Sequence, residues 1–593
     1  MITRRTALAI IGATAASAQI ARRGIDDFFR EFTDEWIRLN PNLATSLRYF
    51  AGEEQDRLER QLTPLTIASA RQRLQLARRG LAELGKFDRT AMTETHRVSA
   101  EVMKWQLEMV VAEEPYYDYT FPLEQMNGWN VSAVERFTVA RPLSKLRDAE
   151  NYVAALAQVS VRMEEAIAES RRLAAKNVIP PRFILEATIK QMQSFVDPSP
   201  GQNPFVTAFA DKMAALSEGA SAIPATQREQ LRAEAEKIVG TQIYPAWKKA
   251  AATLQSQLPR SSNDAGLWRL KGGPEAYAHF LRRYTTTNLT ADQIHEIGLQ
   301  QVSRIETQMD GLLRRLGRTA GPVKDRIERL RLDLQYPNPT SDESRAQIMR
   351  DADAIVRDAE KRAASLFDLR PKAPVTVQPF PRFREANAAA NYNAPAPDGS
   401  RPGVVQIPRR IERMTTFGLR SLLYHEAVPG HHFHIALQVE NKDLPHFMQV
   451  RALGGISAIT EGWGLYAERL AAESGWHGDD IEGQLGQLDA ELFRARRLVV
   501  DTGLHAKRWT RQQAIDYGIE ASEVERYAVY PGQACSYMIG ELKILELRDK
   551  AQKALGSRYS LREYHNVVLR AGSVPLQVLE SQVDAHIHAA VRL

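Results

Sequence analysis

Apolar side chains recur along most of the chain three and four positions apart, the period of helices that turn one face to a core. The stretch from Thr290 shows it best. Thr290 followed by Gln293 makes a capping box, and Ile294, Val302, Ile305, Met309 and Leu312 then fall near one helical face, a stripe that reads as core packing. Residues 150–176 are rich in Ala, Glu and Arg, contain no Pro or Gly, and stop before Pro180-Pro181, which predicts one helix. Segments bearing Pro, Ser and Asn at 198–204 and 336–340 predict loops.

One region departs from this period. Val375-Thr376-Val377 and Val404-Val405-Gln406-Ile407 are rich in β-branched residues and predict strands of a small sheet, with a Pro- and Gly-rich stretch at 393–403 between them. The predicted fold class is mainly α: a large helical body with a small β-sheet directly before, and so beside, a histidine-rich segment. No internal repeat is evident. In this reading the chain divides into an N-terminal helical part, 19–270, and a C-terminal part, 271–593, that carries the chemistry.

Composition narrows the function classes. The 593 residues are 44% hydrophobic and 25% charged, an ordinary globular balance. Lys+Arg 78 against Asp+Glu 72 leaves +6, and the arginines are interleaved with glutamates, so no nucleic-acid partner is expected. The single Cys535 excludes an intrachain disulfide and any Cys-rich metal site. Residues 1–18 read as an export signal: Arg4-Arg5, a short apolar run from Ala7 to Ala16, then Ala16-Ser17-Ala18. The paired arginines suggest the twin-arginine route, and no Cys follows the apolar run to carry a lipid. Periplasmic or secreted localisation is expected, with no membrane contact after cleavage, since no later uncharged run reaches about 18 residues.

The chemistry concentrates between 421 and 468. SLLYHEAVPGHHFHI, residues 421–435, holds His425, Glu426, His431, His432 and His434; TEGWGLYAE follows at 460–468. A catalytic zinc site takes three protein ligands and leaves one position for water, and a nearby carboxylate takes that water's proton. The common helical solution is His-Glu-x-x-His. Here Pro429 stands where the second histidine belongs. On an unbroken helix, His431 would be rotated about 120° from His425, and His432 would lie about 10.5 Å up the axis. Pro429 and Gly430 predict a bulge at 428–430 that returns one of them to His425. Spacing leaves both open, with His431 preferred. Glu461, at the start of an apolar helix after Gly454-Gly455, is the expected third ligand. Glu468, seven residues on, lies on the same face and could hold a ligand histidine from behind.

HEAVPGHH (425–432) and EGWGLYAE (461–468) resemble the two boxes of the bacterial family called domain of unknown function 885 (DUF885), with Gly464 where that family usually has Ala. DGSRPG (398–403), VVDTGLH (499–505) and YPGQACSYMIG (530–540) extend the similarity through most of the C-terminal half. The resemblance implies a gluzincin-like metallopeptidase whose helical body is similar to helical zinc carboxypeptidases and oligopeptidases. It implies metal and catalytic roles for His425, Glu426, one of His431 and His432, and Glu461. Tyr537-Met538 and Tyr564-His565-Asn566 stand where the family has Tyr-Lys and Phe-His-Asp.

The expected activity is therefore hydrolysis of short peptides with one bound zinc ion and Glu426 as general base. Tyr537 and His505 are the candidate stabilisers of the oxyanion. Val404 to Ile407 is the candidate edge strand for an extended peptide, and Arg401, Arg409 and Arg410 are candidates for a substrate carboxylate. An amidase or esterase acting on a non-peptide bond, and a non-catalytic binding protein, are the alternatives. Spacing says nothing of oligomeric state.

Overall fold

The computed structural model describes residues 24–592 apart from 220, 338–340, 381–384, 386–388, 397, 398, 400 and 410–414. The signal-like segment and Arg410 lie outside the described residues. The architecture is mainly helical with one three-stranded sheet, and no helix among the described residues is long and apolar enough to cross a membrane.

The predicted helix start at Thr290 is present. The Thr290 and Gln293 side chains cap each other's backbone, and Ala291–Arg315 follows, burying Ile294, Val302, Ile305 and Met309. Leu312 is only partly buried, and Leu313 fills the core place instead. Residues 150–176 form two helices rather than one, ending and restarting around Gln158. The Gln158 side chain explains the joint: it donates to Arg60 O at 2.6 Å and accepts from Leu62 N at 3.3 Å, tying an earlier loop to the break.

Packing does not divide at residue 270. Helices within 25–112 bury Phe28, Phe32, Trp36 and Leu107 in the same core as the C-terminal half, and Phe29 packs on Phe447 at 5.2 Å between ring centroids. Residues 123–254, joined by Leu62, instead enclose a second core around Tyr152, Phe205, Phe209 and Trp247. The first helices pack on one another, Phe28 on Phe87 at 5.4 Å between ring centroids, and the C-terminal helices complete their core.

The sheet has the order β1-β3-β2, where β1 is Val375–Pro379, β2 Asn391–Asn393 and β3 Gly403–Ile407. β3 pairs parallel with β1, Val375 opposite Gly403, and antiparallel with β2, Tyr392 opposite Val405. The expectation that 404–407 forms a substrate-binding edge is thereby corrected: β3 is the central strand, and both its hydrogen-bonding edges are occupied. The short β2, which carries no β-branched residue, gave no strand pattern in the sequence.

Two helices come into unusually close contact. Ser457–Glu473, the glutamate helix, crosses Ser536–Leu555, the tyrosine helix. A Cβ on Gly462 would lie 2.6 Å from Gly540 Cα, and one on Gly540 would overlap the Ala458 carbonyl oxygen. Only glycine permits this approach. Gly540→Ala is expected to destabilise the protein by about 1–3 kcal/mol through overpacking, read as a lower urea midpoint. Gly311→Ala, on an exposed helical face with nothing within 4 Å, should instead raise stability by up to about 1 kcal/mol. Equal effects of the two changes would refute the close-contact argument.

Candidate functional site

The histidine helix, Thr416–Glu426, starts where the Thr415 hydroxyl accepts the Gly418 N–H at 3.2 Å. It buries Phe417, Leu419 and Leu423, which fixes the rotation that turns His425 and Glu426 inward. Ala427, at φ −107° and ψ −97°, ends the helix. The predicted bulge is in fact a full break, with winding resumed at His431 and a wide π-type turn over His432–Ala436. Gly430 is required there, because a Cβ would overlap the carbonyl oxygens of Tyr424 and His425. The Trp463 indole N–H, from the glutamate helix, donates to Pro429 O at 2.9 Å and Gly430 O at 3.2 Å. The break is thus tied to the helix that carries Glu461.

Those elements bring four side chains together. His425 Nε2 lies 3.4 Å from Glu461 Oε2, and His431 Nε2 lies 3.5 Å from the same oxygen. The two imidazoles meet edge to face at 4.7 Å, and potential ligand atoms of His425, Glu426 and His431 all fall within 4.8 Å of one another. A tetrahedral ion with bonds of about 2.0–2.1 Å separates its ligands by about 3.3–3.4 Å, so the spacing at Glu461 suits one ion. Glu426 Oε2 and His431 Nδ1 are buried with no hydrogen-bond partner among the described residues. The donor set of two imidazoles and carboxylates fits zinc-type chemistry.

The electrostatics favour a cation at the same point. His425 Nδ1 is 2.9 Å from Glu468 Oε1, so both its ring nitrogens face carboxylates. Burial alone lowers the His425 imidazolium, yet Glu461 and Glu468 together raise it to about 10. Burial likewise works against the Glu461 carboxylate, but the two histidines hold it well below the usual range. Arg494, 3.5 Å from Glu468, balances the charge behind the ring. Gly464 lets the ring sit flat on the glutamate helix, since a Cβ there would stand 2.6 Å from His425 Cε1.

Three sequence candidates occupy different positions. His432 turns away from the cluster: its Nδ1 is 2.9 Å from the Tyr392 hydroxyl on β2, and its Nε2 donates to Ala373 O at 3.1 Å. The structure thereby selects His431 over His432 as the partner of His425, and gives His432 the task of fastening the sheet to the turn. His505 does not join the site. Its Nδ1 accepts from Leu267 N at 3.1 Å and its Nε2 donates to Tyr527 O at 3.0 Å, so no proton or lone pair remains for a substrate. Burial also lowers it to about 4. Tyr537 does lie alongside, its ring nearly parallel to His425 at 6.3 Å and under the Arg497 guanidinium at 4.4 Å.

Spacing gave no sign of Asp501. Fully buried, it accepts from the Tyr277 hydroxyl at 2.6 Å and from Gly532 N at 3.0 Å. It holds the loop that delivers Tyr537, and Gly532 is needed in that loop because its φ is 81°.

His425→Ala, His431→Ala and Glu461→Ala are each expected to abolish most metal binding, whereas His432→Ala should retain full stoichiometry, both measured by elemental analysis of the purified protein. Glu468→Gln should weaken affinity about 10- to 100-fold by releasing the His425 ring. Metal retained by His431→Ala and lost from His432→Ala would reverse the assignment.

Comparison with known proteins yields structural relatives and no activity. A search of curated proteins finds no match. A solved structure described as a "putative lipoprotein" from Colwellia psychrerythraea is 29% identical, covering 94% of this chain and 99% of that one, with a TM-score of 0.87. A second, described as a "putative lipoprotein of unknown function" from Shewanella oneidensis, shares the fold at 17% identity and a TM-score of 0.68, covering 94% of this chain and 99% of that one. Residues 41–583 match the family described as "Bacterial protein of unknown function (DUF885)", and the chain belongs to that family.

Proposed function

We propose that the protein is a zinc-dependent peptidase acting on short peptides, with the ion held by His425, His431 and Glu461. The observation that carries this reading is the pair of distances from one Glu461 oxygen, 3.4 and 3.5 Å, to imidazoles on either side of the broken helix. Zinc, when bound, supplies a Lewis acid that acidifies water and polarises a carbonyl.

The remaining roles fall to the chain itself. Glu426 follows His425 directly, so its side chain leaves the helix about 100° away and reaches the same space from another side. Its unpartnered buried oxygen, Oε2, is free to take the proton of the attacking water and return it to the leaving amine. Tyr537 lies beside the His425 ring, where its hydroxyl can donate to the oxygen that gains charge. Glu468 fixes the His425 ring with Nδ1 protonated and Nε2 facing inward. A binding protein has no use for Glu426, which is why hydrolysis is preferred over mere metal or peptide binding.

Export fits the same reading. The Arg4-Arg5 segment and the description of the Colwellia relative as a "putative lipoprotein" both support a location outside the cytoplasm.

Glu426→Gln keeps shape and hydrogen bonding but cannot accept a proton. Peptide hydrolysis, followed by mass spectrometry of a peptide library, should fall about 10²- to 10⁴-fold, with metal content unchanged. A chelator should abolish activity and added zinc restore it. Undiminished turnover by metal-loaded Glu426→Gln protein would refute the mechanism.

A further inference from the structure

The arginines that sequence put forward for a substrate carboxylate are not suited to it. Arg409 is committed to Glu385 at 2.9 Å, in a pair that Arg345 shares, and Arg401 is exposed. A different arginine precedes the glutamate helix and feels the charge of Glu461. Arg451 lies in the turn just before the glutamate helix, half-buried, and its guanidinium makes no hydrogen bond or ion pair among the described residues. Its Nε is buried without an acceptor.

The turn is shaped around this side chain. Arg451 adopts φ 53°, a left-handed conformation that costs a non-glycine residue free energy. Gly454 N donates back to Arg451 O at 2.8 Å, and Gly454 has φ 98°. The guanidinium folds over Gly455, where any Cβ would overlap it. Its nearest carboxylate influence is Glu461, whose charge opposes the lowering that burial imposes. Glu461, however, is already shared by His425 and His431. A half-buried guanidinium without its own counter-charge is unfavourable unless a ligand supplies one.

We propose that Arg451 receives the free terminal carboxylate of the peptide, which makes the enzyme a carboxypeptidase that acts at or near the C-terminus. The assignment rests on the peptidase reading, because the C-terminal carboxylate is the one anion that every short peptide carries. Arginine presents paired N–H groups that match a carboxylate's two oxygens. A carboxamide offers one oxygen and no charge.

The test uses N-acetylated tripeptides in two series, with a free carboxylate or with a C-terminal carboxamide, and the zinc-loaded full-length protein. Wild-type kcat/KM should favour the free acids by about 10- to 100-fold, the range of a charge-assisted bidentate contact. In Arg451→Gln the acid-to-amide ratio should collapse to about 1, while Arg451→Lys should keep part of it. Gly455→Ala, which displaces the guanidinium without removing its charge, should lower the ratio as well. Equal wild-type rates on the two series overturn the assignment and leave the peptidase reading standing. So does a ratio that survives in Arg451→Gln, or a loss of zinc from that variant with the ratio unchanged, which would make Arg451 a counter-charge for Glu461 alone. No hydrolysis of either series removes the peptidase reading and this assignment with it.

Discussion

One carboxylate oxygen joins the two sides of a broken helix. Glu461 Oε2 sits 3.4 Å from His425 Nε2 and 3.5 Å from His431 Nε2, and these rings belong to segments that Ala427–Gly430 has separated. Burying a carboxylate is costly unless charged or hydrogen-bonding partners meet it closely. The glutamate helix must therefore be seated to within a fraction of an ångström. Three contacts do so: Gly462 against Gly540 sets its depth, the Trp463 indole grips the Pro429 and Gly430 carbonyls, and Gly464 accepts the face of the His425 ring. Consecutive residues 461–464 thus supply the shared carboxylate, depth, anchoring and clearance, which accounts for the density of special residues in that one turn.

The charges behind the site are layered. Glu468 holds His425 and is met by Arg494. Further in, Glu491 is paired with Arg304 and Arg469 and accepts from Gln487 at 2.8 Å. Glu541, fully buried with neither oxygen hydrogen-bonded among the described residues, is pushed well above the carboxylate range by burial and by Glu491. Both causes favour the neutral form of Glu541. A proton on Glu541 eases its repulsion with Glu468, which holds the His425 ring through Nδ1.

Much of the fold and of the site was legible because local rules governed it. The capping box at Thr290 needs only two side chains three residues apart, and the runs at 375 and 404 need only β-branching. Pro429-Gly430 announced an interruption, and Glu461 and Glu468 announced a shared face by their spacing. What escaped depends on contacts far apart in sequence. Nothing local says that β3 lies between its partners, that the helices of 25–112 complete a C-terminal core, or that Asp501 holds Gly532. Nor does His505 betray that both of its nitrogens are taken by backbone groups at 267 and 527. Arg451 was invisible for the same reason: its isolation is a property of the surrounding space.

The adjacent histidines show how geometry settles a choice that spacing leaves open. Neighbouring residues on a helical segment project about 100° apart, so two consecutive imidazoles cannot both face one ion. With His431 aimed at Glu461, His432 must point elsewhere, and it meets Tyr392 of β2 and the backbone before β1. Its Nε2 donates to a carbonyl, which fixes Nδ1 as an acceptor for the Tyr392 hydroxyl and removes both nitrogens from metal chemistry. Gly403 confirms how tightly this joint is packed, since a Cβ there would lie 2.7 Å from the Tyr392 hydroxyl oxygen and 2.8 Å from His432 Nδ1. The sheet is thereby fastened to the same short turn that presents His431. Any shift of the turn moves the sheet and His431 together.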